Sequence, residues 1–181
     1  NNFVILSVGR LEKIKGHGYL LDSLPDILKS VPNCKVVIVG GGREKENLIR
    51  RAKDLNVSDF VEFKGEVSHE DLPKFFRQAD VFVMPSLSEG FGIACIEAMA
   101  FGLPTVASDV GGIADILEHK KTGLLVSPSN PKEISNAVIS IHNDSKLRSA
   151  LSGNAKERSR QFDWNKIASL VNEVYREATH A

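Results

Sequence analysis

Val36-Val37-Ile38-Val39-Gly40-Gly41-Gly42 is apolar at every position before it breaks on three consecutive glycines. A strand with one wet face alternates apolar and polar residues. An unbroken β-branched run therefore predicts a strand covered on both faces, as in a parallel sheet flanked by helices. Working outward, further strand-like runs lie near 3–8, 35–39, 60–64, 80–84, 104–107 and 123–126, and helical patterns near 16–30, 43–55, 69–78, 92–102 and 131–142. Such alternation, with right-handed crossovers, predicts an α/β fold with a doubly wound parallel sheet. Ligands of these sheets bind beyond the carboxyl ends of the strands. Gly9-Arg10, Gly40-Gly41-Gly42, Gly65 and Glu89-Gly90 all follow strands, so they are expected on one rim.

The 181 residues suit one domain with a sizeable core: a core sheet over 3–142 and a helical segment over 145–179. In the latter, Asp163 is expected to cap a last helix that buries Ile167, Leu170, Val171, Val174 and Tyr175 on one face, anchored by Phe162 and Trp164. Formal net charge is zero, so no global field favours nucleic acid or an anionic membrane. No apolar run is long enough to span a bilayer. Cys34 and Cys95 lack CxxC spacing and sit in apolar contexts, which suits a reduced, cytoplasmic protein without a disulfide or metal framework. The abrupt start, two residues before the first strand and without methionine, suggests a domain of a longer polypeptide.

The chemistry concentrates in Ser88-Glu89-Gly90-Phe91-Gly92-Ile93-Ala94-Cys95-Ile96-Glu97. The glycines leave backbone N–H groups uncovered at a helix start, where unpaired donors and the helix dipole favour an anion such as phosphate. Glu97, among Ile93, Ile96, Ala98, Met99 and Ala100, is expected to be buried, and a buried carboxylate needs hydrogen-bonding partners. A ligand diol would serve, as would an arginine or a neighbouring loop. Arg10 and Lys15 place a planar fork and a point charge on the first strand-to-helix loop, a pair suited to a diphosphate leaving group, although two solvated cations would look the same.

Other features are less specific. The Gly40–Gly42 triplet is not a dinucleotide fingerprint, since GxGxxG would need glycine at Lys45; it is expected to let a ligand or a loop approach the backbone, with a plain flexible turn as the alternative. Gly111-Gly112 either donates N–H groups or simply turns the chain. Ser68-His69-Glu70-Asp71 reads as a helix N-cap with an acid in the first turn rather than a metal site. The five histidines are scattered, with none beside a nucleophile.

Taken in order, Gly9-Arg10-Leu11, Lys15-Gly16, Val39-Gly40-Gly41-Gly42, Phe63-Lys64-Gly65-Glu66-Val67, Pro85-Ser86, Glu89-Gly90-Phe91-Gly92, Glu97-Ala98-Met99-Ala100, Gly102-Leu103-Pro104 and Gly111-Gly112 resemble the C-terminal donor-binding domain of the retaining group 1 glycosyltransferases. The resemblance runs from about residue 3 to 142. It implies one Rossmann-like half of a GT-B enzyme that transfers a hexosyl group from a UDP-, GDP- or ADP-sugar to an acceptor hydroxyl. It implies that Arg10 and Lys15 hold the diphosphate with the N–H groups of Gly90, Phe91, Gly92 and Ile93, and that Glu89 contacts the donor sugar, so that Glu89, Arg10 and Lys15 stand at the reacting end. Glu97 would take the ribose hydroxyls, the backbone from Gly65 to Val67 would border the base, and Gly9 and Gly41 would complete the donor-binding set. No metal or other cofactor is implied. The partner would be an N-terminal domain of the same full-length chain, carrying the acceptor site and a catalytic histidine or its equivalent. The isolated domain would then be inactive, and the full-length enzyme could sit peripherally on a membrane. Rival readings are a sugar-nucleotide epimerase of similar fold and a non-catalytic nucleotide-sensing module.

Overall fold

The computed structural model describes residues 2–162. The helix expected to open at Asp163, its apolar face and its Trp164 anchor lie outside the described residues.

Six strands, β1 (Phe3–Val8), β2 (Cys34–Val39), β3 (Val61–Gly65), β4 (Val81–Met84), β5 (Thr105–Ser108) and β6 (Leu124–Val126), form one parallel sheet in the order β3-β2-β1-β4-β5-β6. Among the described residues seven helices accompany them: α1 (His17–Ser30), α2 (Lys45–Asp54), α3 (Leu72–Gln78), α4 (Ile93–Ala100), α5 (Ile113–Ile116), α6 (Pro131–Asn143) and α7 (Ser145–Ser159). The chain lays β1, β2 and β3 outward in one direction, then returns to place β4 on the other side of β1, with Ile5 opposite Val81 and Leu6 opposite Phe82. The order reverses between β1 and β4. The connections leaving these two strands diverge there to opposite faces, which opens a crevice at their carboxyl ends.

Period-2 alternation feeds two cores. Ile5, Val36, Ile38, Val81, Val83 and Val106 pack with Leu20, Leu24 and Ile134 of α1 and α6. On the other face Leu6, Phe82, Met84 and Ala107 pack with Phe76, Met99 and Ile113. All four residues of β4 are buried, as a central strand between two helical layers requires.

Helix ends explain where the structure departs from the sequence reading. Ser68 does accept a hydrogen bond from the Asp71 N–H at 3.2 Å, and its hydroxyl donates to the Asp71 carboxylate at 2.9 Å. These bonds close a turn rather than cap a helix, and α3 begins only at Leu72, with Pro73 in its first turn. Asn130 caps α6 by accepting from the Glu133 N–H at 3.1 Å, and Asp144 caps α7 by accepting from Lys146 and Leu147 at 2.9 Å each. The four-residue α5, which follows Gly111-Gly112, was not expected from the sequence.

Along the carboxyl rim the strand-to-helix connections touch backbone to backbone. Gly9 N–H donates to Val39 at 3.0 Å, Leu11 N–H to Gly41 at 2.7 Å and Gly40 N–H to Gly65 at 2.8 Å. A Cβ at Gly40, where φ is +139°, would stand 2.0 Å from the Gly9 carbonyl oxygen, and one at Gly16, where φ is +66°, would stand 1.9 Å from that of Pro85. The glycine triplet thus admits a neighbouring loop. We expect Gly40→Ala to lower the unfolding free energy by more than about 1 kcal/mol, because clash and disfavoured φ add. Gly153→Ala, on an exposed stretch of α7 with nothing within 4 Å, should raise it by about 0.5 to 1 kcal/mol. Urea unfolding of the two variants checks both signs.

Candidate donor-binding cleft

Two connections wall the crevice between β1 and β4. The first, after β1, carries Gly9, Arg10 and a 3-10 turn (Lys13–Lys15) before Gly16 starts α1. The second, after β4, runs from Pro85 to Gly92, which caps α4 in a left-handed conformation. Leu87 N–H donates to the Ile14 carbonyl at 2.8 Å, and Lys15 Nζ meets Glu89 Oε2 at 2.6 Å. A third connection supports the second from behind, since Gly112 N–H donates to the Glu89 carbonyl at 3.2 Å. Gly111-Gly112 therefore braces the turn through its own backbone.

The resulting cleft holds about 450 Å³ and is lined by Val8, Gly9, Arg10, Lys15, His17, Met84, Ser86, Glu89 and Phe91 to Ala94. Of the residues singled out in the sequence, it brings together Gly9, Arg10, Lys15, Glu89, Phe91, Gly92 and Ile93. Gly90 lies in the same turn with open space where a Cβ would be. Arg10 is exposed and forms no ion pair among the described residues. Lys15 and Glu89 are 21% and 12% exposed, and Glu89 Oε2 also accepts from Ser86 Oγ at 3.4 Å. An ammonium has three donors, so this pair orients Lys15 and leaves it donors for an incoming anion. At the start of α4, Ile93 and Ala94 have no preceding helical carbonyl to bond, and the positive end of the helix faces the same space.

A second hollow of about 320 Å³ shares Val8, Gly9 and Arg10 and continues along Val39, Gly40, Gly41, Glu66, Val67 and Leu72. It gathers Gly41 and Val67 against the end of β3, where Gly65 has a φ of +72°.

Glu97 is placed differently from the sequence expectation. Its side chain is 26% exposed rather than buried, and its one ion pair among the described residues is a 3.9 Å approach to the exposed His69. The reason is the face it occupies. Ile93, Glu97 and Ala100 recur at helical spacing on the outer side of α4, and Ile93 is 58% exposed, while Cys95, Ala98 and Met99 turn inward. Partial burial still pushes the Glu97 carboxyl above the usual range, and His69 pulls it back only in part. Glu97 lines a third hollow of about 570 Å³ with His69, Ile96 and Phe162, which shares Phe91 and Ile93 with the first cleft.

The sequence reading passed over His17. The imidazole is 3% exposed, with Nδ1 3.2 Å from Ser7 Oγ and Nε2 buried without a hydrogen-bond partner. Its signal was available, since His17, Leu20, Leu21, Leu24 and Ile27 form the buried stripe of α1. Burial pushes the imidazole down to about 4, the Lys15 ammonium adds to this, and the nearby backbone of Gly9 and Arg10 draws the other way without closing a hydrogen bond.

Cys34 and Cys95 are buried and free, and burial pushes both thiols up to about 12. Among the described residues no group of three or more His, Cys, Asp or Glu side chains could hold a metal, and no helix is long and apolar enough to cross a membrane.

A family model described as glycosyl transferases group 1 matches residues 1–158. The chain belongs to this family, and its sheet is the Rossmann-like fold of GT-B glycosyltransferase C-terminal domains. It is 39% identical over 174 residues to an uncharacterized glycosyltransferase of Methanocaldococcus jannaschii, covering 96% of this chain and 44% of that protein. It is 33% identical over 180 residues to the GDP-mannose-dependent alpha-(1-6)-phosphatidylinositol monomannoside mannosyltransferase of Mycobacterium tuberculosis, covering 95% of this chain and 47% of that protein. Among solved structures, HepE of Anabaena in complex with UDP superposes with a TM-score of 0.90 at 28% identity, covering 98% of this chain and 49% of HepE. The chain thus spans less than half the length of these relatives.

Two outcomes follow from this geometry. Lys15→Met should cost about 1 to 3 kcal/mol in urea unfolding by stranding a largely buried carboxylate, and adding Glu89→Gln should recover part of the loss. Because the folded state holds His17 well below the ordinary imidazole value, its contribution is fully present above about pH 6.5 and is lost as pH falls toward 4. Stability should fall by up to about 3 kcal/mol over that window, and His17→Phe should flatten this part of the profile.

Proposed function

We propose that this domain binds a nucleoside-diphosphate sugar at the β1–β4 crevice and presents it for transfer of the hexosyl group to an acceptor hydroxyl. The observation that carries the reading is the convergence on one cleft of an arginine without an internal ion pair, a lysine oriented by a glutamate, and the open N-terminus of α4. Membership of group 1 supports glycosyl transfer, and the likeness to HepE bound to UDP supports a nucleotide ligand.

In this reading Arg10 and Lys15 neutralise the diphosphate, with the N–H groups of Gly90, Phe91, Gly92 and Ile93, and so stabilise it as a leaving group. Glu89 accepts from hydroxyls of the donor sugar while keeping Lys15 in place. Glu97, half-buried with one loose partner, accepts from the ribose hydroxyls, whose bonds favour its charged form. The hollow along Gly41 and Val67 takes the base, bordered by the backbone from Gly65. Transfer retains the anomeric configuration, with the leaving phosphate assisting deprotonation of the acceptor on the same face. The cations and helix terminus supply the charge neutralisation that a metal would otherwise provide. The acceptor site belongs to an N-terminal domain of the full-length chain, in the cytoplasm, and this domain alone does not turn over.

Calorimetric titration with UDP, GDP and ADP tests the reading. One or more should bind, Arg10→Ala and Glu97→Ala should each lose about 1.5 to 3 kcal/mol, roughly tenfold or more in affinity, and EDTA should change nothing. Absence of binding by all three, or wild-type affinity in both variants, would overturn it.

A further inference from the structure

The donor-binding reading leaves His17 unused, yet its ring carries an unsatisfied polar atom on the side of the β1–α1 loop. Ser7 Oγ, buried in β1, has its hydrogen bond to the imidazole at Nδ1, 3.2 Å away. Neutral imidazole has one donor and one acceptor nitrogen. With the hydroxyl donating to Nδ1, the proton sits on Nε2. Nε2 then is a buried N–H donor that closes no hydrogen bond, with only the backbone of Gly9 and Arg10 drawn up near it, a condition that disfavours the free state unless something satisfies the donor.

The position of Nε2 says where the acceptor comes from. Within 4 Å of the place a Gly9 Cβ would occupy, the atoms are His17 Nε2 at 3.8 Å and Cε1 at 4.0 Å. The missing side chain of Gly9 therefore leaves the imidazole edge against bare backbone, and Gly9, Arg10 and Lys15 line the same cleft as His17. His17 is also the first residue of the 14-residue α1, so its N–H donor and the positive end of that helix act on one space. Phosphate oxygens accept hydrogen bonds and carry negative charge, matching both.

We propose that His17 is a further ligand-binding residue of the cleft, its neutral Nε2–H donating to a phosphate oxygen of the bound diphosphate when the backbone of Gly9 and Arg10 that covers it shifts aside for the ligand. This inference rests on the donor-binding reading and adds a contact from below the loop to those from Arg10, Lys15 and α4. Burial keeps the ring neutral at pH 7, so the contact works as a dipolar donor without adding charge.

The test is long-range nitrogen–proton NMR of the imidazole in the full 181-residue chain at pH 7, titrated with UDP, GDP, ADP and inorganic pyrophosphate. The free protein should show the Nε2–H tautomer, and saturation should shift Nε2 while Nδ1, held by Ser7, moves little. In calorimetry His17→Phe should weaken diphosphate binding about tenfold, whereas His17→Gln, which can place an amide donor near the same point, should restore most of it. If the backbone amides of Gly92 to Ala94 respond but Nε2 does not, or if His17→Phe binds as tightly as wild type, His17 is structural and the donor-binding reading stands without it. An Nδ1–H tautomer that persists on saturation overturns the proposal equally. If none of the four ligands moves either the amides or Nε2, both readings fall together.

Discussion

Backbone meets backbone along the carboxyl edge of this sheet, and that contact is possible only where the chain has no Cβ. Gly40 lies against the Gly9 carbonyl and Gly16 against the Pro85 carbonyl, each closer than any side chain would allow. These crossings tie the β1 connection to the β2 connection on one side and to the β4 connection on the other. Everything proposed for the site depends on this. Arg10 and Lys15 ride on the first connection, Glu89 and the α4 N-terminus on the second, and their mutual distance is set by loops that are packed rather than free.

The topology explains why the polar groups collect there. With strand order β3-β2-β1-β4-β5-β6, neighbouring β1 and β4 send their helices to opposite faces, and no connection crosses the gap between them. A cleft at this point has apolar walls from both cores, such as Val8 and Met84, beneath a polar lip. Charged groups at such a lip interact more strongly than they would in open water, because the walls exclude part of the solvent. Lys15 and Glu89 show one result, a close ion pair that positions both partners before any ligand arrives.

The fold was legible because strands buried on both faces cannot hide. Runs such as Val36 to Val39 and Val81 to Met84 fell within a residue or two of the observed strands. Helix starts were less legible, since a serine four residues ahead of a helix closes a turn as readily as a cap, as Ser68 does. The short α5 had too few residues to display a period. At the site, the cluster on the rim followed from strand ends alone, but the environment of Glu97 did not. Helix α4 is apolar nearly all round, so its pattern could not show which face is open, and only packing revealed Ile93, Glu97 and Ala100 as the outer one. His17 was hidden for the opposite reason. It sits on the apolar stripe of α1, where a histidine resembles core filling until its ring nitrogens are checked for partners.

The Lys15–Glu89 pair has a kinetic side. Of the charges lining the cleft, one lysine is already matched by a glutamate and the imidazole is neutral, which leaves the single positive charge of Arg10 on a chain whose formal net charge is zero. A polyanion approaching from bulk solvent feels little long-range pull, because steering needs a field that extends beyond a Debye length. Encounter is then governed by ordinary diffusion and orientation, and retention by short-range donors that act only after the phosphates have shed water. In the donor-binding reading proposed above, such a cleft does not hoard every passing polyphosphate; it discriminates by how long each one stays.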